Sequence, residues 1–128
     1  MNASPTILLV DDDADFVDMN RILLEQNGYA VRVAYSRAQC RAEVAARRPD
    51  VIILDMVMES REDGFDVSRE LRNSEHTKAI PLIMITSVND SIPFRLQPDR
   101  TWLPVDALLE KPVDPHLLLS VVGRALGA

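Results

Sequence analysis

Four runs of strand length, the apolar ILLV, VIIL and LIMI and the largely apolar ALLE, are each followed by polar residues that could do chemistry. In chain order these residues are Asp11 with Asp12, then Asp55, Thr86 and Lys111. In an open parallel sheet, ligands bind outside the carboxyl ends of the strands. If the four runs are parallel strands of one sheet, three carboxylates, one hydroxyl and one ammonium group converge on one edge.

Three carboxylates at one edge repel one another unless a positive charge lies between them. A hard divalent cation such as Mg²⁺ prefers oxygen ligands and would neutralise Asp11, Asp12 and Asp55. The same ion could hold a phosphate oxygen, and Lys111 would add a fixed positive charge beside it. The pattern therefore predicts a magnesium site that also accommodates a phosphoryl group.

A first helix is predicted at positions 14–27, directly after the aspartates. Apolar residues recur there at helical spacing, and Gly28 supplies a C-terminal stop. Asp13 is interpreted as the N-cap of this helix, with a role as a further metal ligand as the alternative. The apolar positions are Phe16, Met19, Leu23 and Leu24.

Strands and helices alternate along the rest of the chain. Ser36 and Gln39 resemble a capping box for a second helix, and Asp114 with Pro115 opens the last one. The alternation predicts an α/β fold, with a five-stranded parallel sheet and helices on both faces. Three prolines interrupt positions 87–104, so we expect a Pro-rich loop or a degenerate helix in place of the fourth helix.

The composition predicts one domain over positions 1–128 of the chain. A net charge of −6 and a pI near 4.8 argue against a nucleic-acid-binding surface. Cys40 is the only cysteine, so no intramolecular disulfide can form. We find no secretory signal and no run approaching the roughly 20 apolar residues of a membrane span. We therefore expect a cytoplasmic protein that binds neither nucleic acid nor membrane.

The sequence resembles the receiver domains of two-component response regulators, of which CheY-like proteins are typical. The resemblance rests on ILLVDDD, VIILD, LIMITS and LLEKPVD in this order, and it covers nearly the whole chain. It implies a flavodoxin-like, doubly wound fold and phosphoryl transfer from a histidine kinase or a histidine phosphotransfer protein. Asp55 would be the phosphoacceptor, and Mg²⁺ would be held by Asp11, Asp12, Asp55 and the backbone carbonyl of Val57.

By the same resemblance, Thr86 would hydrogen-bond one phosphoryl oxygen and Lys111 would pair with another. The Lys111–Pro112 peptide bond would be cis. Such a domain signals through a downstream protein partner or a separate effector domain. It would catalyse its own phosphorylation and dephosphorylation without turning over a separate substrate.

The sequence departs from the family pattern at several positions. Glu59 stands where a proline is usual, and Leu108 where the family places an aromatic residue that rotates on activation. Val57 and Val88 would flank the path of the water that hydrolyses the phosphoaspartate. Because two apolar side chains cannot orient that water, we predict slow self-dephosphorylation.

Two other functions compete with the phosphoaccepting receiver. The first is a pseudo-receiver, an interaction module that works without phosphorylation, and the intact set of polar strand-end residues argues against it. The second is a haloacid-dehalogenase-like phosphatase, whose nucleophile motif resembles Asp11 and Asp13 after a strand. That family needs another acidic pair after the lysine, where this sequence offers only Asp114.

Overall fold

The computed structural model describes residues 4–55, 63–86 and 105–127. Strands and helices alternate up to position 86, and a further strand and helix follow position 104, as the sequence predicts. The elements are β1 (Thr6–Val10), α1 (Ala14–Gln26), β2 (Ala30–Ala34), α2 (Arg37–Ala46), β3 (Val51–Asp55), α3 (Asp63–Arg72), β4 (Leu82–Thr86), β5 (Ala107–Glu110) and α4 (Pro115–Ala125). No helix among the described residues is long and apolar enough to cross a membrane.

Some sequence predictions lie outside the described residues. They concern the segment 87–104, the carbonyl ligand at Val57, the substitution at Glu59 and the water path beside Val88. These remain predictions.

The five strands form one parallel sheet in the order β2-β1-β3-β4-β5. The register places Val10 beside Leu54, and Thr86 beside Glu110. The strand ends therefore line up, so the residues that follow β1 and β5 lie at the same edge as the last residues of β3 and β4.

The central strands are apolar apart from one residue at an end, because both faces of the sheet are covered. Alternate residues of each strand point to opposite faces and join different cores. Strand residues in the core beneath α2 and α3 are Leu8, Val10, Ala34, Ile52, Leu54, Leu82 and Met84. Those in the core beneath α1 and α4 are Ile7, Leu9, Val51, Ile53, Ile83, Ile85 and Leu109.

Helix α1 begins and ends where the sequence predicts, but one apolar position of its helical pattern does not face the core. Gly28 adopts a φ of +94°, a conformation that terminates helices and favours glycine. Met19, however, is 66% exposed. At 3.6 residues per turn, Met19 lies roughly 115° from the centre of the buried face. That face is formed by Phe16, Val17, Asn20 and Leu24.

The predicted capping box of α2 forms in a modified way. The backbone N–H of Gln39 donates to Ser36 Oγ at 3.1 Å, which is the usual N-cap bond. The Gln39 side chain accepts from the backbone N–H of Tyr35 at 2.7 Å, one residue before the N-cap. The box therefore also fixes the chain as it leaves β2.

Candidate functional site

The carboxyl edge of the sheet positions the predicted site residues through backbone hydrogen bonds. The backbone N–H of Asp11 donates to Ala34 O at 3.1 Å, which extends the pairing of β1 with β2 by one residue. The N–H of Lys111 donates to Thr86 O at 2.7 Å and does the same for β4 and β5. Both side chains therefore leave the backbone from fixed positions just beyond the strands.

Three aspartates meet at this edge, as the sequence predicts. Carboxylate oxygens of Asp11, Asp12 and Asp55 all lie within 4.8 Å of one another. Asp11 is 1% exposed and Asp55 is 3% exposed, whereas Asp12 faces solvent. The cluster therefore consists of two buried carboxylates with a third at its opening.

The two oxygens of Asp11 have different surroundings. Oδ1 accepts the backbone N–H of Asp13 at 2.9 Å. Oδ2 lies 2.7 Å from Lys111 Nζ in an ion pair. This oxygen is buried, and its contact with Lys111 is an ion pair at hydrogen-bond distance.

The surroundings of Asp12, the exposed carboxylate of the cluster, disfavour its ionised form. Partial desolvation raises the pKa of Asp12, and the neighbouring Asp11 carboxylate raises it further. Lys111 opposes this effect but does not cancel it. Among the described residues, three carboxylates at this edge therefore lie beside a single ammonium group, that of Lys111. An all-oxygen donor set with excess negative charge fits a hard cation such as Mg²⁺.

Lys111 has a second neighbour that the sequence analysis did not assign to the site. Its Nζ lies 4.3 Å from the centroid of the Phe16 ring, within cation–π distance. We had placed Phe16 only in the apolar face of α1. The sequence feature that could have indicated this contact is the position of Phe16 in the first turn of a helix that starts at this edge.

Asp13 is the N-cap of α1. Binding a metal would compete with this capping role. Its Oδ1 accepts the backbone N–H groups of Asp15 at 3.1 Å and Phe16 at 3.3 Å. The N-cap interpretation is confirmed. The carboxylate of Asp13 therefore belongs to the helix terminus, while its neighbours on the N-terminal side form the cluster.

Thr86 completes the edge as the last residue of β4. It is buried, and its backbone carbonyl holds Lys111 in place. The Lys111–Pro112 peptide bond is cis, as predicted. The structure thus places the described residues of the predicted site together at the carboxyl edge of the sheet. Their chemical roles remain predictions.

Comparison with known proteins identifies similar sequences. The response regulator receiver domain model matches residues 7–123. The DNA-binding dual master transcriptional regulator RpaA of Synechocystis sp. is 36% identical over 122 residues, covering 95% of this chain and 48% of RpaA. Protein PilH of Pseudomonas aeruginosa is 30% identical over 123 residues, covering 94% of this chain and 96% of PilH. The chain thus spans about half the length of RpaA and nearly all of PilH.

Solved structures share the architecture. The chemotaxis response regulator CheY4 of Vibrio cholerae superimposes with a TM-score of 0.80 at 27% identity, covering 96% of this chain and 99% of CheY4. A sensor protein from Polaromonas sp. JS666 gives a TM-score of 0.83 at 28% identity, covering 96% of each chain. These neighbours confirm the predicted flavodoxin-like fold.

Proposed function

Because the chain belongs to the family of response regulator receiver domains, we propose that it accepts a phosphoryl group on Asp55 and signals through a protein partner. One observation carries the proposal. The buried Asp55 carboxylate lies in a cluster with Asp11 and Asp12, and Lys111 is ion-paired to that cluster. This arrangement supplies a nucleophile, a set of cation ligands and a fixed positive charge at one place.

In the proposed step, a carboxylate oxygen of Asp55 attacks the phosphorus of a phosphohistidine. A P–O bond forms and the P–N bond breaks, and its electron pair stays with the leaving imidazole nitrogen, which takes up a proton. Attack by an anion on an anionic group is slow unless positive charge offsets the repulsion. The ammonium group of Lys111 would offset part of it, and the hydroxyl of Thr86 would donate to a phosphoryl oxygen.

The metal is proposed from the chemistry of the donor set. Receiver domains generally bind Mg²⁺ at an acidic aspartate cluster, and the residues here fit that ion. Asp11, Asp12 and Asp55 would hold it, together with the Val57 carbonyl implied by the family resemblance. When bound, the ion would neutralise these carboxylates and the incoming phosphoryl oxygens.

The family indicates the kinds of protein that this chain would contact. Receiver domains interact with histidine kinases and with downstream effectors. We propose a histidine kinase or a histidine phosphotransfer protein as donor, and a protein partner or an attached effector domain as receiver of the signal. We place this exchange in the cytoplasm.

Incubation with acetyl phosphate and Mg²⁺, followed by mass spectrometry, tests the proposal. We expect the mass gain of one phosphoryl group, its loss in Asp55→Asn, and its loss when EDTA removes the metal. Peptide mapping should place the group on Asp55.

The controls separate the competing functions. Asp50→Asn removes an exposed aspartate at the opposite edge and should leave the mass gain unchanged. The absence of any gain, or a gain that survives Asp55→Asn, would favour the pseudo-receiver. Steady turnover of a generic phosphate ester would favour the phosphatase.

A further inference from the structure

Four residues form a closed circuit of contacts between the start of α1 and the end of β5. Asp13 N donates to Asp11 Oδ1 at 2.9 Å, and Phe16 N donates to Asp13 Oδ1 at 3.3 Å. The Phe16 ring lies 4.3 Å from Lys111 Nζ, which in turn lies 2.7 Å from Asp11 Oδ2. The first turn of α1 therefore fixes both neighbours of the ammonium group, one charged and one aromatic.

We propose that Phe16 is a positioning residue, whose ring face holds the Lys111 ammonium group over the acidic cluster. The inference rests on the proposed function, because it assigns Phe16 a part in phosphoryl transfer through Lys111. Phe16 is neither a proposed metal ligand nor the proposed phosphoacceptor, so the inference adds a residue to the site.

The surroundings of Lys111 explain why a ring matters here. Its side chain is 18% exposed, so the ammonium group has lost much of its water. Among the described residues, the ammonium group contacts the Asp11 carboxylate on one side and the Phe16 ring on the other. A ring face attracts a cation electrostatically, and the attraction is stronger where the cation is desolvated. An aliphatic residue could fill the same buried space without supplying it.

The contact also suits the movement that the proposed reaction requires. Attraction to a ring face does not depend on where the N–H bonds point. The ammonium group can therefore turn its N–H bonds from Asp11 toward a phosphoryl oxygen while it stays over the Phe16 ring. The ring would keep Lys111 at the edge during the exchange of partners.

A fluorination series tests whether Phe16 acts through its ring charge distribution. Mono-, di- and trifluorinated phenylalanine at position 16 would weaken the negative ring face step by step while nearly preserving shape. We expect the initial rate of phosphorylation by acetyl phosphate to fall stepwise, by about tenfold at the trifluorinated residue. Phe16→Tyr should retain most of the rate, and Phe16→Leu should lose as much as the trifluorinated residue.

The same series in a Lys111→Met background is the matched control, since methionine keeps the apolar stem and removes the charge. We expect fluorination to have no effect there. A flat series in the unsubstituted background, or an equal fall in both backgrounds, would overturn the inference.

An NMR measurement on the metal-free protein gives a readout that does not depend on phosphorylation. The ε-methylene protons of Lys111 should resonate upfield of their random-coil position because of the ring current, and Phe16→Leu should remove that shift. Random-coil shifts in the unsubstituted protein would overturn the contact itself. An upfield shift in a protein that acetyl phosphate cannot phosphorylate would overturn the proposed function and leave the ring contact standing.

Discussion

At the residue scale, Lys111 is the one cation paired with the acidic cluster in the part of the chain that the structure describes. Its Nζ lies 2.7 Å from Asp11 Oδ2, and Asp11 is also one of the proposed metal ligands. The lysine therefore both balances the cluster and competes with the cation that the cluster would bind. Two positive charges this close repel each other even near a protein surface.

We predict that Lys111→Met strengthens Mg²⁺ binding by about tenfold, because it removes this repulsion and frees Asp11. Isothermal titration calorimetry on both proteins at equal ionic strength measures the change. Lys78→Met is the control, since Lys78 pairs with Glu75 on the surface away from the cluster and should leave the affinity unchanged. Equal or weaker Mg²⁺ binding by Lys111→Met would contradict the competition.

At the element scale, the start of α1 connects helix formation with the site. Asp13 accepts two backbone N–H groups of the first turn and donates its own N–H to Asp11. A serine at the same position could also accept N–H groups, whereas an alanine could not. The two substitutions therefore separate the capping role of Asp13 from a role as a metal ligand.

We predict that Asp13→Ala lowers the free energy of unfolding by about 1 kcal/mol, while Asp13→Ser stays within about 0.5 kcal/mol of the original protein. Urea denaturation followed by circular dichroism measures both. Mg²⁺ binding should survive Asp13→Ser and be lost in Asp12→Ser. If Asp13→Ser abolished Mg²⁺ binding, Asp13 would have to be counted among the ligands.

A second connection between elements lies at the opposite edge of the sheet. Arg72, at the end of α3, donates to Ile80 O at 2.6 Å and to Asp106 Oδ2 at 2.6 Å. The same Asp106 oxygen accepts the N–H of Leu82 at 2.7 Å. One guanidinium group thus joins α3, the turn before β4 and the turn before β5.

We predict that Arg72→Leu lowers the free energy of unfolding by about 2 kcal/mol, because it leaves the Ile80 carbonyl and the Asp106 carboxylate without this donor. The matched control is Glu75→Ala, which removes an ion pair whose glutamate is 89% exposed. The control should change stability by no more than about 0.5 kcal/mol. Urea denaturation measures both variants. If both lost the same free energy of unfolding, the contacts of Arg72 with Ile80 and Asp106 would add no stability beyond that of a surface ion pair.

At the scale of the whole molecule, the sheet separates two cores that are lined by alternate residues of the same strands. Cys40 lies in the core beneath α2 and α3 and has no exposed surface. Burial raises the pKa of its thiol to about 12, with a smaller contribution from the charge of Glu70. The thiol can therefore ionise at ordinary alkaline pH only after the domain unfolds.

We predict that this thiol makes the domain less stable as pH rises. The folded state keeps a proton that the unfolded state loses above about pH 8.5, so folding is penalised from there up to the folded-state pKa. The contribution is about 1.4 kcal/mol per pH unit, and Cys40→Ala should lack it. Urea denaturation under reducing conditions between about pH 7.5 and pH 10 measures the difference in slope. Parallel stability curves for the two proteins would exclude this effect.

The sequence alone determined the order of the elements and the edge where the site lies. Apolar runs and helix caps are local features that can be found in the sequence. A parallel sheet brings the carboxyl ends of its strands to one edge, regardless of which side chains pack against it. The sequence was therefore enough to assign five residues to one edge of the sheet, namely Asp11, Asp12, Asp55, Thr86 and Lys111. The family resemblance then indicated which chemistry such an edge performs.

The tertiary structure decided what depends on the phase and orientation of side chains. Helical spacing alone does not fix which face of α1 is buried, since Met19 belongs to the apolar pattern and is nevertheless exposed. The contact of Phe16 with Lys111 joins residues 95 positions apart in sequence (111 − 16). Neither residue type nor spacing predicts such a contact, because it depends on how α1 packs against the sheet and where the lysine stem leaves β5.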